Sequence, residues 1–323
     1  MHFSAQPIPN EPHRDLSMTA TQARSQPGGV ILATNAMGTR FELVLCESTH
    51  HAAGSHESQV FLQAVGEQVI EEIQFWDRTL SRFTPGSVPA RLIQAAANNN
   101  PNHFVPLDAR VFSLLQLCES MRTSTQGAFD ISFASNRTRA QPAGLLFDET
   151  SHAARLSYPD QTLDFGAVGK GFALDCVAEI LREHGVTKAL IHGGTSSILA
   201  LGDWTIGVKI DEARECVIAM RNSHLSVSST MHRTHIVDAR VNSNQQTTSA
   251  VNTAAVLFPL SMHTGPNNLP IPSAGTLAEV WSTSLTLLGF RIPAVPTQLT
   301  TLLARNAHDL ELQGPDVHCF RTS

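Results

Sequence analysis

Two stretches carry residues whose types and spacing suit chemistry. The first is Leu163 to Asp175, LDFGAVGKGFALD, in which Gly166, Gly169 and Gly171 surround Lys170 and Asp164 and Asp175 stand near the ends. A glycine turn that opens a helix leaves free backbone N–H groups and a positive dipole end facing outward, a natural seat for phosphate. Lys170 adds a full positive charge, and Asp164 can accept hydrogen bonds from a base or sugar. Neither familiar phosphate loop fits. Gly171 follows Lys170 where a P-loop needs a hydroxyl, Gly166 and Gly169 stand too close together, and the spacing is GxxGxG rather than GxGxxG. The competing reading is a tight strand-to-helix turn with glycines at positive φ and Lys170 in solvent.

The second stretch is Ala278-Glu279-Val280-Trp281-Ser282-Thr283. Polyphosphates are usually handled with a divalent cation. Glu279 and Thr283, four residues apart, lie on one helical face. A carboxylate and a hydroxyl there suit a hard cation completed by a backbone carbonyl and phosphate oxygens. The plainer alternative is an ordinary helix surface. The fifteen histidines are scattered without an HExxH. Five cysteines, Cys46, Cys118, Cys176, Cys216 and Cys319, are far apart, odd in number and without a CxxC. Neither a zinc site nor a disulfide framework is expected, and a reduced compartment fits.

Elements must position these residues. Val30 to Cys46 reads as two strands around Met37-Gly38-Thr39. Ser58 to Leu80 reads as a helix, with Leu62, Val65, Val69, Ile73, Trp76 and Leu80 on one face. Val111 to Met121 repeats that period. Residues 85 to 106, rich in Pro and Asn, read as loop. Arg155 to Leu163 reads as a hairpin around Pro159-Asp160, so the glycine stretch follows a strand ending near Leu163. Phe172 to His184 reads as a helix closed by Gly185. Strands are expected at Ala189 to His192, Thr205 to Ile210, Cys216 to Met220, Leu225 to Ser229 and Thr253 to Phe258. A last helix runs from Thr276 to Leu288, closed by Gly289. Helices mixed with runs of consecutive strands predict an α+β fold.

The chain has 323 residues, 42% hydrophobic and 15% charged, with a formal net charge of −6. That length suits one large domain or two lobes, and that charge argues against a nucleic-acid partner. Residues 1–29, dominated by Pro, Ser, Gln and Asn, read as a disordered tail, leaving residues 30–323 as the folded domain. The first residues lack an apolar signal core and no long apolar run occurs, so a cytoplasmic protein without a membrane span is expected.

Seven segments, in order over roughly residues 30 to 290, resemble one family, the FAD:protein FMN transferases, called ApbE-like. They are Met37-Gly38-Thr39-Arg40-Phe41, LSRFTPGSV from Leu80 to Val88, Thr125-Gln126-Gly127-Ala128-Phe129-Asp130, DFGAVGKGFALD from Asp164, ALIHGGTSSILALG from Ala189 to Gly202, His235-Ile236-Val237-Asp238, and Ala278-Glu279 through Thr283. The resemblance implies a mixed α/β fold with antiparallel sheets and an FAD cleft between two lobes. It implies magnesium and FAD, with FMN passed to a Thr or Ser hydroxyl of an acceptor flavoprotein and AMP released. Carried over by residue, Met37, Phe83, Ala128, Phe129, Asp130, Asp164, Lys170 and Val237 would bind FAD. The carbonyl of Ala167 would reach the metal with Glu279, Thr283 and Ser282, and His235 would be the acid/base group.

The sequence also departs from the family pattern. Glu279 stands where the family has a metal aspartate, Val88 follows Ser87 in place of a Glu, and Thr195 replaces a glycine. Asp238-Ala239-Arg240-Val241-Asn242 lacks the proline and turn glycine of the family's DPRTG. Two alternatives therefore stay open, an FAD pyrophosphatase yielding FMN and AMP, and a flavin-binding descendant with impaired catalysis.

Overall fold

The computed structural model describes residues 29–98, 103–132, 144–158, 161–209, 215–230, 251–260, 274–306, 309–316 and 320–322. The tail expected at residues 1–29, apart from Gly29, lies outside them. So do His235 and Val237.

The chain opens with a hairpin, β1 (Val30–Ala36) and β2 (Thr39–Ser48), whose turn places Met37 at φ 50° and Gly38 at φ 69°. Both central residues in the left-handed region give the turn twist that matches two paired strands. Helix α1 (His56–Leu80) follows, capped by Ser55. All six residues of its expected apolar stripe are buried. Each such aliphatic side chain withdrawn from water contributes about 1.5–3 kcal/mol, which is what fastens the helix to the strands beneath it.

The stretch read as loop, residues 85 to 106, instead contains helix α2 (Val88–Ala97) and the short strand β3 (Val105–Pro106). Pro89 misled because it lies in the first turn, where a missing N–H costs nothing. Ser87 caps the helix, and Leu92 and Ala95 are buried. Helix α3 (Ala109–Ser124) is followed by β4 (Leu145–Asp148) and β5 (Ala153–Leu156). The hairpin expected at Arg155 to Leu163 thus sits earlier, pairing Leu145 with Leu156, and Leu163 belongs to no strand. These three strands form a small antiparallel sheet ordered β3-β5-β4.

Helix α4 (Gly169–Glu183) begins inside the glycine stretch and ends before Gly185 at φ 61°. It leads into β6 (Val186–Gly193), β7 (Ser197–Lys209), β8 (Glu215–Ser229) and β9 (Thr253–Pro259). The two segments expected at 216–220 and 225–229 are one strand. Asn222, at φ 42°, accounts for the apparent break, and its Oδ1 accepts the Gly202 N–H where the β7–β8 register shifts. Helix α5 (Ala274–Leu288) precedes three strands that the sequence reading did not identify, β10 (Thr300–Asn306), β11 (Asp309–Gln313) and β12 (Phe320–Thr322).

The large sheet runs β1-β2-β6-β7-β8-β9-β10-β11, with β12 on β8, and every pairing is antiparallel. Helices α1, α4 and α5 pack along it, α1 over β1 and β2, α4 over β6 and β7, α5 over β8 and β9. The alternation of strand side chains sorts residues between layers. Leu225 and Val227 join an all-strand cluster, whereas Ser226 and Ser228 reach α5. The α+β expectation with antiparallel sheets holds. Among the described residues no helix is long and apolar enough to cross a membrane.

Candidate functional site

The glycine stretch does not need its glycines for positive φ. Gly166, Gly169 and Gly171 all avoid the left-handed region. Gly171 is required by proximity, because a Cβ there would lie 2.3 Å from the carbonyl oxygen of Gly275. Helix α4 therefore crosses the first turn of α5 at near backbone contact. That crossing brings the two chemical stretches together.

Lys170 is not a solvated lysine. Its side chain is 17% exposed, and Nζ lies 3.3 Å from Oε1 of Glu279, whose side chain is 5% exposed. Ser197, buried at the start of β7, donates its hydroxyl to the same Oε1. The other oxygen, Oε2, is buried and accepts no hydrogen bond. A buried polar oxygen left without a partner costs about 1–3 kcal/mol, so its retention points to a ligand. Below it, Ser226 and Ser228 on β8 each lie 2.9 Å from the Ser282 hydroxyl, which also donates toward the Glu279 carbonyl at 3.1 Å. Three oxygens around one hydroxyl use up its single donor and two lone pairs. Ser282 thus fastens α5 to the sheet. Thr283, half-buried, meets the Ser228 hydroxyl at 3.3 Å.

Beyond the glycines, Asp164 takes the Gly166 N–H on Oδ1 at 2.8 Å and faces Arg82 across 2.9 Å on Oδ2. Its own N–H donates to the Ile131 carbonyl at 2.7 Å. One residue thereby gathers the turn, the Arg82-Phe83 loop and the 128–131 segment. Phe83 is 81% exposed, with the Arg82 guanidinium 4.7 Å over its ring, an open aromatic face of the kind a planar heterocycle stacks on. Ala128 and the Phe129 ring are in the core, which leaves the backbone of that segment to face a ligand. Asp130 takes the Ser132 N–H and hydroxyl at 2.8 and 2.6 Å, and burial raises its carboxyl above the ordinary range. The Met37 N–H donates to Asp77 on α1 at 2.8 Å. Ala167 is half-buried beside the start of α4.

Val168, the residue before helix α4, supplies no side-chain cap, and of the first-turn donors the Gly169 N–H turns back to the Phe165 carbonyl at 2.7 Å. The site therefore combines an open helix N-terminus, a lysine–glutamate pair and a buried, unpartnered carboxylate oxygen. Carboxylate, hydroxyl and carbonyl oxygens suit a hard divalent cation. Among the described residues no three His, Cys, Asp or Glu converge as a metal-binding group. The sequence reading quoted Ser197 and Arg82 within its motifs but gave them no role. Ser226 and Ser228 it left out of the site entirely, although polar alternation opposite Leu225 and Val227 was the available signal.

Known proteins resemble this chain in sequence and in fold. The model of the ApbE family matches residues 37–295. A Klebsiella pneumoniae protein named FAD:protein FMN transferase is 31% identical over 139 residues, 36% of this chain, and the match spans 43% of that relative's length. A Thermotoga maritima ApbE protein superposes with a TM-score of 0.65 at 18% identity, covering 91% of this chain and 99% of the other. The flavin transferase ApbE of Vibrio cholerae superposes at 0.68 and 14% identity, with 91% and 99% covered. At such low identity the superpositions speak for the fold alone, while the family match takes in well over half of the sequence, from the Met37 turn through the Glu279 helix. On that match the chain belongs to the ApbE family.

Proposed function

We propose that this protein transfers FMN from FAD to a Thr or Ser hydroxyl of an acceptor flavoprotein and releases AMP. The observation that carries the reading is the Glu279 carboxylate, held on Oε1 by Ser197 and Lys170 and unpartnered on Oε2 beside the uncapped start of α4. Family membership and the name of the Klebsiella relative support it.

In this proposal Glu279, Thr283 and the carbonyl of Ala167 hold Mg²⁺, while Ser282 anchors the helix that carries two of them. The cation, when bound, supplies charge that stabilises the pyrophosphate oxygens as the bond breaks. The first-turn N–H groups of α4 and Lys170 bind the phosphates. Phe83 receives the flavin face, and Met37, the backbone at Ala128 and Phe129, Asp130, Asp164 and Val237 complete the FAD site. The acceptor oxygen bonds to the phosphorus of the FMN half, and the bond from that phosphorus to the bridging oxygen breaks. AMP leaves with the bridging oxygen, and the hydroxyl proton passes to His235, whose imidazole suits that task near neutral pH.

The test is incubation of the protein with FAD, Mg²⁺ and a candidate acceptor flavoprotein. AMP should appear in step with an acceptor mass increased by one FMN. AMP without a mass increase would replace transfer by hydrolysis, and FAD binding without AMP would reduce the protein to a flavin binder.

A further inference from the structure

Asp175 lies five residues beyond Lys170 on α4 and is 1% exposed. Buried aspartates without a lysine or arginine partner are uncommon, and this one is committed to another helix. Oδ1 accepts the Gly275 N–H at 2.7 Å. Oδ2 accepts the Thr276 N–H at 2.8 Å and the Thr276 hydroxyl at 2.6 Å. These are first-turn donors of α5, so the Asp175 side chain closes the N-terminus of a helix from outside it. Gly171 and Asp175, four apart, share the face of α4 that meets α5, and Gly171 admits the Gly275 carbonyl to near contact. His224 on β8 closes the third side, its ring against Gly275 and its Nε2 3.3 Å from Asp175 Oδ1 but outside hydrogen-bonding geometry.

Thr276 precedes Glu279 by three residues, one turn of α5. A shift or rotation of that first turn moves the Glu279 carboxylate relative to Lys170 on the neighbouring helix. Ser282, a turn further along, anchors α5 to β8 but not to α4. Three donors on one carboxylate fix both the position and the rotation of the turn, which a single contact cannot do.

We propose that Asp175 is a positioning residue, setting the first turn of α5 against α4 so that the Glu279 carboxylate is presented to a divalent cation. It touches neither cation nor substrate. This rests on the proposed metal role of Glu279.

The experiment titrates the full-length chain with Mn²⁺ as a paramagnetic probe in the presence of FAD, well below the melting temperature of each variant. Groups that orient a ligand typically govern affinity by about 10–100-fold. Asp175→Asn, which sets an amide against the N–H donors, should raise the Mn²⁺ dissociation constant by about tenfold or more. Thr276→Val, which removes only the hydroxyl donor, should raise it severalfold, and Thr276→Ser should restore the parent value. A purely structural role would lower melting temperatures without changing the affinity of the folded protein. Unchanged Mn²⁺ affinity in both Asp175→Asn and Thr276→Val therefore overturns the proposal. Glu279→Ala separates the two readings. If it leaves Mn²⁺ affinity intact, the metal assignment fails. If it abolishes binding while the Asp175 and Thr276 variants bind normally, only the positioning role fails.

Discussion

Exchanging either member of the buried Asp175–His224 pair should expose a pH dependence of stability that the parent hides. Burial raises the Asp175 carboxyl from its ordinary 3.8 to about 7, against hydrogen bonds from Thr276 and Gly275, with the Glu279 charge adding to the rise. Burial also pushes the His224 imidazole down from 6.5 to about 3. Stability changes with pH in proportion to the protons bound by the unfolded chain minus those bound by the folded one. Near pH 5 the unfolded chain carries one proton on His224 and none on Asp175, and the folded chain carries one on Asp175 and none on His224. The counts are equal, so the pair contributes almost no slope between about pH 4 and 6.5. Asp175→Asn leaves a histidine protonated only when unfolded, and stability then rises with pH across that window. His224→Gln leaves an acid protonated only when folded, and stability then falls as pH rises from about 4 to 7. One uncompensated proton is worth about 1.4 kcal/mol per pH unit. Between pH 4.5 and 6.5 each variant should therefore diverge from the parent by about 2–3 kcal/mol, with opposite signs. Urea denaturation of the three proteins at half-unit intervals of pH measures this. Variant curves that run parallel to the parent would mean that the two groups keep ordinary protonation inside the fold, and the reasoning would be wrong.

Replacing Glu279 by Gln keeps the side-chain volume but puts an uncharged amide where the unpartnered carboxylate oxygen sits. Saturating Mg²⁺ with FAD, at about 100 times its dissociation constant, should stabilise the parent by about 2.7 kcal/mol and the variant hardly at all, as read by thermal melts with and without metal. Lys170→Ala removes the cation 3.3 Å from Glu279. FAD affinity by fluorescence titration should drop about tenfold or more, the scale of one charge-assisted contact, and equal affinity would leave Lys170 as the partner of Glu279 with no contact to FAD. Gly171→Ala forces a methyl to within 2.3 Å of the Gly275 carbonyl oxygen and should cost about 1–3 kcal/mol in denaturant melts. Gly169→Ala, whose nearest neighbours would lie 3.8 Å away, should cost much less.

The parts of this site that sequence revealed are those that local spacing controls. The periodic stripe of α1, the Met37-Gly38 turn and the shared face of Glu279 and Thr283 follow from helical and hairpin geometry within a few residues. Lys170 drew notice because glycines flank it, and of these Gly171 is required by a helix crossing rather than by backbone freedom. Asp175 and Ser197 act on residues 100 and 82 positions away, and no local pattern encodes such pairings. They depend on sheet register, which sets Ser197 opposite Ser226, and on the α4–α5 contact that Gly171 permits. The helix at 88–97 was missed for a different reason, because Pro89 breaks a helix interior but suits its first turn. The one-strand character of β8 was hidden by the polar run around Asn222, where a left-handed residue bends the strand without ending it.

The proposed function asks one small region to attract both a cation and an anion, and the α4–α5 crossing bears on both. Two helices begin there, and each presents the partial positive charge of an unfinished first turn. At α5 that charge is neutralised from within, because Asp175 occupies the donors. At α4 no side chain does so, and although the Gly169 N–H turns back to the Phe165 carbonyl at 2.7 Å, the end keeps its dipole without a side-chain cap. Lys170 adds positive charge next to that open end, but Glu279 offsets it at 3.3 Å. The protein alone therefore supplies a balanced ion pair, one free dipole end and one unpartnered carboxylate oxygen. Such a balance is weakly attractive to a phosphate by itself, and a lone carboxylate oxygen is a sparse site for a cation by itself. In the proposed function a cation held by Glu279 would turn the balance positive beside the phosphates, and the phosphates would supply oxygens that the protein does not. Under the proposed function FAD and the divalent cation would complete each other's site, and the two helix ends would differ because only one of them receives a ligand.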